Sequence, residues 1–340
     1  MHQINSENLV FLISQPRSGS SMLQQILISS GEILSVPEPW IMLPLVYVYK
    51  KTGMTSEFNP MYANINFMQY LSKYDGSTNT VKNCIKETAL KLYNLNQLQT
   101  HQKYFLDKTP RYYHIVGELL ELFPESKFIF LSRNPASVFA SILEYNFKGK
   151  LAPMFRPDRL DDLLKAPNII CNLKQSGRNP NNQFFIKYED VVADPEQQLG
   201  KLFQFLQLDF TYDDIHYHLA PEFINTDSVD KKSLAKHASV VADYMDSWRL
   251  SINDYQKKSL LLEYIEILGK PVFDTLGYDY TETIKGIKNH NVKFRMPIKW
   301  DLMAKNINGL SMMDYFYFQL EKITNRTIEY VSRKSGTIKC

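Results

Sequence analysis

Short apolar runs alternate along the chain with longer stretches in which apolar residues recur every three to four positions. A continuous apolar run is typical of a strand buried on both faces, and the longer repeat is typical of a helix with one buried side. The runs predict strands at 9–15, 103–107, 127–132 and 183–188. The predicted helices lie at or within 20–30, 40–50, 59–74, 79–98, 112–122, 135–147, 158–176, 195–207, 239–249 and 252–268. This alternation predicts an α/β fold with a central parallel β-sheet flanked by helices on both faces.

Length and composition agree with one large domain. The chain has 340 residues, of which 44% are hydrophobic and 13% aromatic, enough to bury one substantial core. We expect a single domain over residues 1–280 and a C-terminal extension over 281–340 that packs on the same domain. The extension mixes basic residues with an aromatic run at 312–318. The sequence leaves open whether it covers a binding site, forms a dimer or touches a membrane surface.

Charge and targeting signals narrow the class of protein. The net charge of +3 is small and the basic residues are spread along the chain, which argues against a nucleic-acid partner. The N-terminal residues lack a basic and apolar leader, and the longest uncharged apolar stretch, 39–49, is far too short for a membrane span. The cysteines are odd in number and lie far apart, as is typical of a reducing compartment. We therefore expect a cytoplasmic protein.

Residues 14–22 join the first predicted strand to the first predicted helix. Gly19 permits a tight turn there, and the first N–H groups of a helix have no acceptor within the helix. Arg17 adds a fixed positive charge, and Ser20 and Ser21 add hydroxyl donors. Such a loop predicts a bound phosphate-like anion. An ordinary serine-capped helix is the alternative for this segment taken alone.

The loop departs from the ATP- and GTP-binding form G-x-x-x-x-G-K-[ST], in which Lys reaches the terminal phosphates and Ser or Thr binds Mg²⁺. No Lys follows Gly19, and the strand at 127–132 does not end in an acidic residue. A metal-dependent nucleotide hydrolase is therefore disfavoured. His216 and His218 form a pair without further ligands in a recognised spacing, so we expect no metal site.

A second anion site follows the strand at 127–132. Arg133 ends this strand, Pro135 suits the first turn of a helix, and Ser141 lies two turns further on. Ligands of an open parallel sheet bind beyond the carboxyl ends of its strands. The two anion sites therefore predict one ligand that carries two separated phosphate groups.

The two sites together resemble those of the sulfotransferase family, whose members use 3′-phosphoadenosine 5′-phosphosulfate (PAPS) as sulfuryl donor. Four blocks carry the resemblance, in the order of the family and over roughly residues 8 to 270. They are Pro16-Arg17-Ser18-Gly19-Ser20-Ser21, Phe105-Leu106-Asp107-Lys108-Thr109-Pro110, Arg133-Asn134-Pro135 with Ser141, and the segment 186–195. The resemblance implies a P-loop-like sulfotransferase architecture.

The resemblance also implies roles for individual residues. The phosphosulfate would be held by Arg17, Ser18, Gly19, Ser20 and Ser21. Arg133 and Ser141 would hold the 3′-phosphate, and Tyr188 would lie near the nucleotide. Lys108 would face the transferring group, because fixed cations stabilise the negative charge that develops on the leaving group. The implied co-substrate is PAPS, the implied product is 3′,5′-ADP, and direct transfer needs no metal. For Lys108, an exposed lysine paired with Asp107 is the alternative.

The acceptor hydroxyl needs a base. Cytosolic-type members of the family have a His two residues after the lysine, where this chain has Pro110. The tyrosylprotein branch instead uses a Glu about two dozen residues beyond the loop arginine, and Glu38 lies 21 positions after Arg17. The chain therefore resembles the bacterial and tyrosylprotein-type branch, and Glu38 is the expected base, with Lys108 and Arg17 as its catalytic partners. A glutamate that caps the next helix is the alternative for Glu38, and His114 is the second candidate base.

The identity of the acceptor cannot be read from these motifs. A hydroxyl on a carbohydrate, a lipid-linked glycan, a polyketide-like metabolite or a peptide tyrosine fits, and the aromatic residues of 40–80 either line its pocket or fill the core. Two other classes remain open: a P-loop nucleotide kinase, and a nucleotide-binding interaction protein without catalysis. Mg²⁺-dependent turnover of ATP would favour the kinase. Binding of 3′,5′-ADP without turnover of any acceptor would favour the interaction protein.

Overall fold

The described part of the chain builds its central sheet from five strands. The computed structural model describes residues 2–50, 53, 57–74, 76–211 and 248–294. The strands are β1 (Leu9–Ser14), β2 (Ile33–Ser35), β3 (Tyr104–Lys108), β4 (Lys127–Ser132) and β5 (Gln183–Lys187). They pair in the order β2-β3-β1-β4-β5, and every pair is parallel. The predicted parallel sheet is confirmed, and the first of the described strands, β1, lies at its centre.

The register aligns the carboxyl ends of neighbouring strands. Leu12 of β1 lies beside Lys108 of β3, and Ser14 of β1 lies beside Leu131 of β4. The last residue of β4 pairs with the last residue of β5. The loops that follow these strands therefore leave the sheet along one edge, where parallel sheets bind their ligands.

Helices connect the strands, and local polar residues begin several of them. Asn59, Ser77 and Asp194 accept hydrogen bonds from first-turn N–H groups and so cap three helices. The helices are α1 (Ser20–Ser29), α2 (Met42–Val46), α3 (Pro60–Ser72), α4 (Thr78–Tyr93), α5 (Val116–Leu122), α6 (Pro135–Ser141), α7 (Pro157–Leu160), α8 (Ala166–Ser176), α9 (Tyr188–Ala193), α10 (Pro195–Leu206), α11 (Trp248–Ser251), α12 (Tyr255–Leu276) and α13 (Tyr280–Asn289). Tighter 3₁₀ turns lie at Pro110–Ile115, Ala152–Phe155 and Pro180–Asn182, and wider π turns lie at Ile142–Asn146 and Asp161–Lys165.

Both faces of the sheet are covered, because alternate residues of a strand point to opposite faces. Leu9, Phe11 and Ile13 of β1 pack in a buried cluster with α4, α5 and α8. Val10 and Leu12 pack in a second cluster with α1, α9 and α10. A third cluster joins α6, α11 and α12. The expected arrangement, with helices on both faces of the sheet, is confirmed.

Several elements differ from the sequence prediction, and three of the differences have a local cause. The hydrophobic pattern misses β2, because three residues are too few to show a periodicity. The helix predicted over 40–50 is reduced to α2, since Trp40 has a φ of +55° that a right-handed helix does not accept. The helix predicted over 158–176 is interrupted by the π turn Asp161–Lys165, because Pro167 has no N–H for the regular α-helical bond.

The last described helix begins at the expected domain boundary. α13 starts at Tyr280, and its Ile287 is fully buried in the third cluster together with α12. Division of the chain into 1–280 and 281–340 stays a prediction, because residues 295–340 lie outside the described part.

Other predictions fall on residues that are not described. The helix predicted at 239–249 lies outside the described ranges up to residue 247, and so do His216 and His218. Of the helices that are described, none combines the length and the apolar character needed to cross a bilayer.

Candidate active site

The residues that the sequence motifs single out meet at one edge of the sheet. Each strand contributes to the set at or just beyond its carboxyl end. The set comprises Arg17, Ser18, Gly19, Ser20 and Ser21 after β1, Glu38 after β2, Lys108 at the end of β3, Arg133 and Ser141 after β4, and Tyr188 after β5. The sheet order thus brings together groups that lie far apart in the sequence.

The loop between β1 and α1 ends in an uncapped helix start. Arg17 and Gly19 have positive φ values of 72° and 92°, which turn the chain tightly into α1. The first helical hydrogen bond runs from Leu23 N–H to Gly19 O at 3.1 Å, so the earlier N–H groups have no acceptor in the helix. No side chain of the described residues caps them, and the first turn contains no acidic residue. This helix start suits an anion.

Both a close contact with Tyr188 and the positive φ of the backbone require glycine at position 19. A Cβ at this position would lie 2.5 Å from Cδ2 and 2.8 Å from Cε2 of Tyr188. The ring of Tyr188 therefore packs directly on the loop backbone, and the positive φ strains any residue that has a Cβ. The family resemblance assigns Gly19 to the phosphosulfate and Tyr188 to the neighbourhood of the nucleotide, and the structure brings the two residues into contact with each other.

Ser18 adds a buried hydroxyl to the loop. Its side chain is fully buried, and its Oγ makes no hydrogen bond to any of the described residues. A buried hydroxyl without a partner costs about 1–3 kcal/mol. A polar ligand in the loop would remove that cost, so the loop fits a phosphate or sulfate group.

Two arginines connect this loop to the second anion site. Arg17 Nε donates to Ser141 Oγ at 3.2 Å, and Arg133 Nη1 donates to the carbonyl oxygen of Arg17 at 3.1 Å. The Arg17 guanidinium lies 3.8 Å from the centre of the Tyr145 ring, and the Arg133 guanidinium lies 4.4 Å from that of Tyr188. The two anion sites inferred separately from the sequence are therefore continuous.

The charge on Arg133 is only weakly hydrated. Burial lowers the pKa of its guanidinium from the ordinary value, and the charge of Arg17 acts in the same direction, whereas Tyr188 and Glu189 oppose the shift. An anionic ligand beside Arg133 would replace the lost hydration and stabilise the charge.

The expected base and the expected cation form an ion pair. Lys108 Nζ lies 2.8 Å from Glu38 Oε1 and 3.3 Å from Ser21 Oγ. The Lys108 side chain is fully buried, whereas 18% of the Glu38 side chain is exposed. The ammonium group therefore contacts both the carboxylate and the loop between β1 and α1, which we call the phosphate loop because the sequence predicts an anion there. Ile41 occupies the cap position of α2, so the interpretation of Glu38 as a helix cap is wrong.

Asp107 points away from Lys108, because neighbouring strand residues face opposite sides of the sheet. Its buried carboxylate accepts hydrogen bonds from the hydroxyls of Tyr93 at 2.6 Å, Thr109 at 2.8 Å and Tyr112 at 2.9 Å. The Tyr112 hydroxyl also accepts from Met42 N–H at 3.0 Å, which ties the end of β3 to the start of α2. The alternative of an exposed Lys108 paired with Asp107 is wrong, because Lys108 is buried and paired with the candidate base.

Asp107 gives the stability of the fold a specific pH dependence. Burial raises the pKa of its carboxyl to about 6, although the hydroxyl donors lower it. Between about pH 4 and about pH 6, the folded protein therefore keeps the proton of this carboxyl, whereas the unfolded chain has released it. The contribution to stability is complete below about pH 4 and is lost as the pH rises through about 6.

Relative to Asp107→Asn, we expect the wild type to lose about 2.5 kcal/mol of unfolding free energy between about pH 4 and about pH 7. The Asn variant has no proton to release at this position. Urea unfolding at a series of pH values measures the difference, with the exposed-site variant Glu7→Gln as control. Parallel stability curves for the wild type and Asp107→Asn would contradict this expectation.

His114 belongs to a different set of contacts. Its ring lies against that of Tyr113, with the ring centres 4.2 Å apart. Burial lowers the pKa of His114, and the largest charge effects on it come from Asp161 and Lys165. Glu38, which contacts Lys108 directly, therefore stays the candidate base.

The sequence motifs miss an arginine cluster connected to the phosphate loop. Asp162 is fully buried and accepts hydrogen bonds from Arg111 Nε at 3.0 Å, Arg111 Nη2 at 2.6 Å and Arg159 Nη1 at 3.1 Å. Its carbonyl oxygen accepts from Gln15 Nε2 at 2.9 Å, and Arg111 lies 6.0 Å from the Trp40 ring. No sequence motif joins these residues, because only the fold brings them together.

Comparison with known families agrees with this geometry. A family model described as "Sulfotransferase family" matches residues 10–213, which is more than half of the chain. The chain belongs to the sulfotransferase family. The matched region of this sulfotransferase contains every residue of the set at the sheet edge.

Two curated relatives agree with the bacterial branch of the family. The sulfotransferase is 23% identical over 295 residues to nodulation protein NoeE of Sinorhizobium fredii, which covers 80% of this chain and 66% of that protein. It is 34% identical over 110 residues to the omega-hydroxy-beta-dihydromenaquinone-9 sulfotransferase of Mycobacterium tuberculosis, which covers 30% of this chain and 28% of that protein. The chain thus spans less than two thirds of the length of either relative.

Solved structures agree with the fold of the sulfotransferase. The sulfotransferase domain from the curacin biosynthetic pathway superposes with a TM-score of 0.54 at 22% identity, covering 82% of this chain and 99% of that domain. The sulfotransferase domain of the Synechococcus PCC 7002 olefin synthase gives a TM-score of 0.53 at 20% identity, covering 82% of this chain and 97% of that domain. Both likenesses show the α/β sulfotransferase fold.

Proposed function

We propose that this sulfotransferase moves the sulfuryl group of PAPS to the hydroxyl of an acceptor molecule. The observation that carries the proposal is the contact between the two anion sites, in which Arg133 Nη1 donates to the carbonyl oxygen of Arg17 at 3.1 Å. Arg17 in turn contacts Ser141 Oγ at 3.2 Å. PAPS carries a phosphosulfate and a separate 3′-phosphate, so its two anionic ends match two adjacent cationic sites.

Residues of both sites would hold this donor. The 3′-phosphate would be bound by Arg133 and Ser141, with Tyr188 beside the nucleotide. The buried hydroxyl of Ser18 and the uncapped start of α1 fit the phosphosulfate. Its ligands would be Arg17, Ser18, Gly19, Ser20 and Ser21. When bound, PAPS supplies an activated sulfuryl group on a phosphate leaving group.

Glu38 is the proposed base. Its carboxylate takes the proton of the acceptor hydroxyl while the acceptor oxygen forms a bond to sulfur and the bond from sulfur to the leaving phosphate oxygen breaks. Lys108 and Arg17 stabilise the negative charge that develops on that leaving oxygen. The products are a sulfate ester of the acceptor, 3′,5′-ADP and the proton held on Glu38.

We propose a hydroxyl-bearing small molecule or a glycan as the acceptor. The name of the mycobacterial relative specifies an omega-hydroxy menaquinone, which is a hydroxyl-bearing small molecule. Trp40 follows Glu38 by two residues and is 38% exposed, so an apolar ring surface lies close in sequence to the proposed base. Such a surface suits the apolar part of an acceptor.

Binding of 3′,5′-ADP tests the donor assignment. Arg133→Ala removes the guanidinium proposed for the 3′-phosphate, so we expect it to weaken 3′,5′-ADP by about 10- to 100-fold. We expect affinity for 5′-AMP, which has no 3′-phosphate, to change by less than about threefold. Isothermal titration calorimetry measures both affinities, with Arg178→Ala, an exposed arginine before β5, as the control. Equal losses for both nucleotides would refute the role of Arg133, and a wild type that does not bind 3′,5′-ADP would refute the donor.

A further inference from the structure

Glu189 joins three parts of the fold beside the second anion site. Its Oε1 accepts a hydrogen bond from the backbone N–H of Asn134 at 2.9 Å, and its Oε2 accepts from the Tyr278 hydroxyl at 2.8 Å. Asn134 directly follows Arg133 at the end of β4, whereas Tyr278 follows the end of α12. One carboxylate in the first turn of α9 thus links the loop that carries Arg133 to a distant helix.

The Tyr278 end of this link is fixed by the backbone. Gly277 has a φ of +83°, its N–H donates to Asp274 O at 3.2 Å, and Tyr278 N–H donates to Phe273 O at 2.9 Å. This is the Schellman arrangement, which fixes the residues that follow a helix. Lys187 Nζ adds a hydrogen bond to Gly277 O at 3.2 Å. Tyr278 is therefore held in place independently of Glu189.

The Tyr278 hydroxyl is a constant donor. Burial and then the Glu189 carboxylate raise its pKa well above the ordinary value. The hydroxyl therefore keeps its proton at neutral pH and well above it. Glu189 Oε2 has a permanent partner, which orients Oε1 toward Asn134.

The Asn134 end of the link controls the segment that carries Arg133. The Asn134 side chain accepts from Ala136 N–H at 2.9 Å and caps α6, while its backbone N–H is bound by Glu189. These bonds fix the chain on the C-terminal side of Arg133, and β4 fixes it on the N-terminal side. Arg133 is only 9% exposed and its guanidinium contacts Arg17, so a small rotation of the Arg133 backbone would displace the guanidinium from that contact.

We propose that Glu189 is a positioning residue for the 3′-phosphate subsite: together with Tyr278 it fixes the backbone of Asn134 and so the direction of the Arg133 guanidinium. The inference rests on the proposed function, because it takes Arg133 as the ligand of the 3′-phosphate. Glu189 acts through Asn134. The preceding residue, Tyr188, packs on Gly19 and Arg133, so the first turn of α9 supports both anion sites.

Nucleotide selectivity tests this role. Glu189→Ala removes both acceptor oxygens, and we expect the preference for 3′,5′-ADP over 5′-AMP to fall about tenfold. Affinity for 5′-AMP is expected to stay within about threefold, because the loop after β1 is unchanged. Glu189→Gln keeps an oxygen that accepts from Asn134 N–H, and its amide N–H group can donate to the Tyr278 hydroxyl. We therefore expect Glu189→Gln to keep most of the nucleotide preference that Glu189→Ala loses. Calorimetry with the two nucleotides measures each ratio.

Two further variants make the test specific. Glu196→Ala is the matched control, since Glu196 is an exposed acidic residue in the first turn of the next helix, α10. We expect it to leave the nucleotide preference unchanged. Tyr278→Phe removes one of the two bonds to Glu189 and should give an intermediate loss of preference. If Glu189→Ala does not fold, Tyr278→Phe is the variant that tests the inference.

A double-mutant cycle separates positioning from general structural support. If Glu189 acts through Arg133, adding Glu189→Ala to Arg133→Ala changes the nucleotide preference no further. Additive losses in the cycle, or an unchanged preference in Glu189→Ala and Tyr278→Phe, would overturn the inference. A wild type that does not prefer 3′,5′-ADP to 5′-AMP would instead overturn the proposed function, so the two failures are distinct.

Discussion

Glu38→Gln is expected to lower turnover by about 10²–10⁴-fold while 3′,5′-ADP still binds. The substitution keeps the shape of the side chain but removes the carboxylate proposed to take the acceptor proton. Lys108 keeps its contact with Ser21 Oγ at 3.3 Å, so the phosphate loop retains its cation. Turnover is measured as sulfuryl transfer from radiolabelled PAPS to an acceptor that the wild type sulfates, and nucleotide affinity is measured by calorimetry.

Glu38→Gln also breaks the ion pair with Lys108, so we expect it to lower the stability of the protein. Lys108 is fully buried, and loss of the carboxylate leaves its charge with neutral partners among the described residues, namely the new amide oxygen and Ser21 Oγ, at a cost of up to about 3 kcal/mol. We expect a lower Tm that 3′,5′-ADP partly restores. Glu32→Gln, at the opposite end of β2, is the matched control and should change neither turnover nor Tm. Normal turnover by Glu38→Gln would make Glu38 a structural partner of Lys108, and His114 would be tested next.

Lys108→Met is expected to lower kcat by about 10²–10³-fold with a much smaller change in the KM for PAPS. Met has a similar length and suits a fully buried position, so the variant removes the charge and little else. A loss in kcat shows that the cation acts on charge that develops in the transition state. A loss confined to KM would make Lys108 a ligand of the ground state only and would contradict the proposed role.

Two comparisons isolate the charge of Lys108. Lys103→Met changes a lysine just before the other end of β3, where Nζ donates to Gln207 O at 2.8 Å, and it should leave kcat unchanged. The double variant Glu38→Gln with Lys108→Met leaves no lone buried charge. Its loss of unfolding free energy should therefore be smaller than the sum of the two single losses.

The sequence motifs identified the residues that meet at one edge of the sheet, because each motif is local in the chain. A strand, a turn with Gly19 and a helix start lie within a few consecutive residues, and so do Arg133 and Asn134 before α6. The parallel sheet follows from apolar runs alternating with helices, and the family resemblance added Glu38 as the expected base and Lys108 as the expected cation. Each of these signals is carried by a short segment of consecutive residues, whereas the ion pair between Glu38 and Lys108 is a finding of the structure.

Contacts between distant segments carried no sequence signal. The burial of Asp162 against Arg111 and Arg159 depends on a π turn that the helical pattern does not reveal. The packing of Tyr188 on Gly19 depends on the strand order, which places β5 two strands from β1, and the sequence does not specify this order. The role of Asp107 was also hidden, because its hydroxyl partners come from different elements. Distances between segments are set by tertiary packing, which periodicity does not encode.

The central position of β1 has a consequence for synthesis on the ribosome. β1 leaves the ribosome before the other four described strands, but its neighbours β3 and β4 begin only at Tyr104 and Lys127, and β2 pairs with β3 within the described sheet. The apolar residues of β1 are fully buried in the folded protein, but they have no neighbouring strand to pair with while the intervening chain is synthesised. Nascent chains with such exposed apolar residues are prone to aggregate. The phosphate loop is complete in sequence soon after β1, yet the ring that packs on it arrives only with Tyr188. A translation product that stops before Tyr188 carries the loop motif without the support that shapes it.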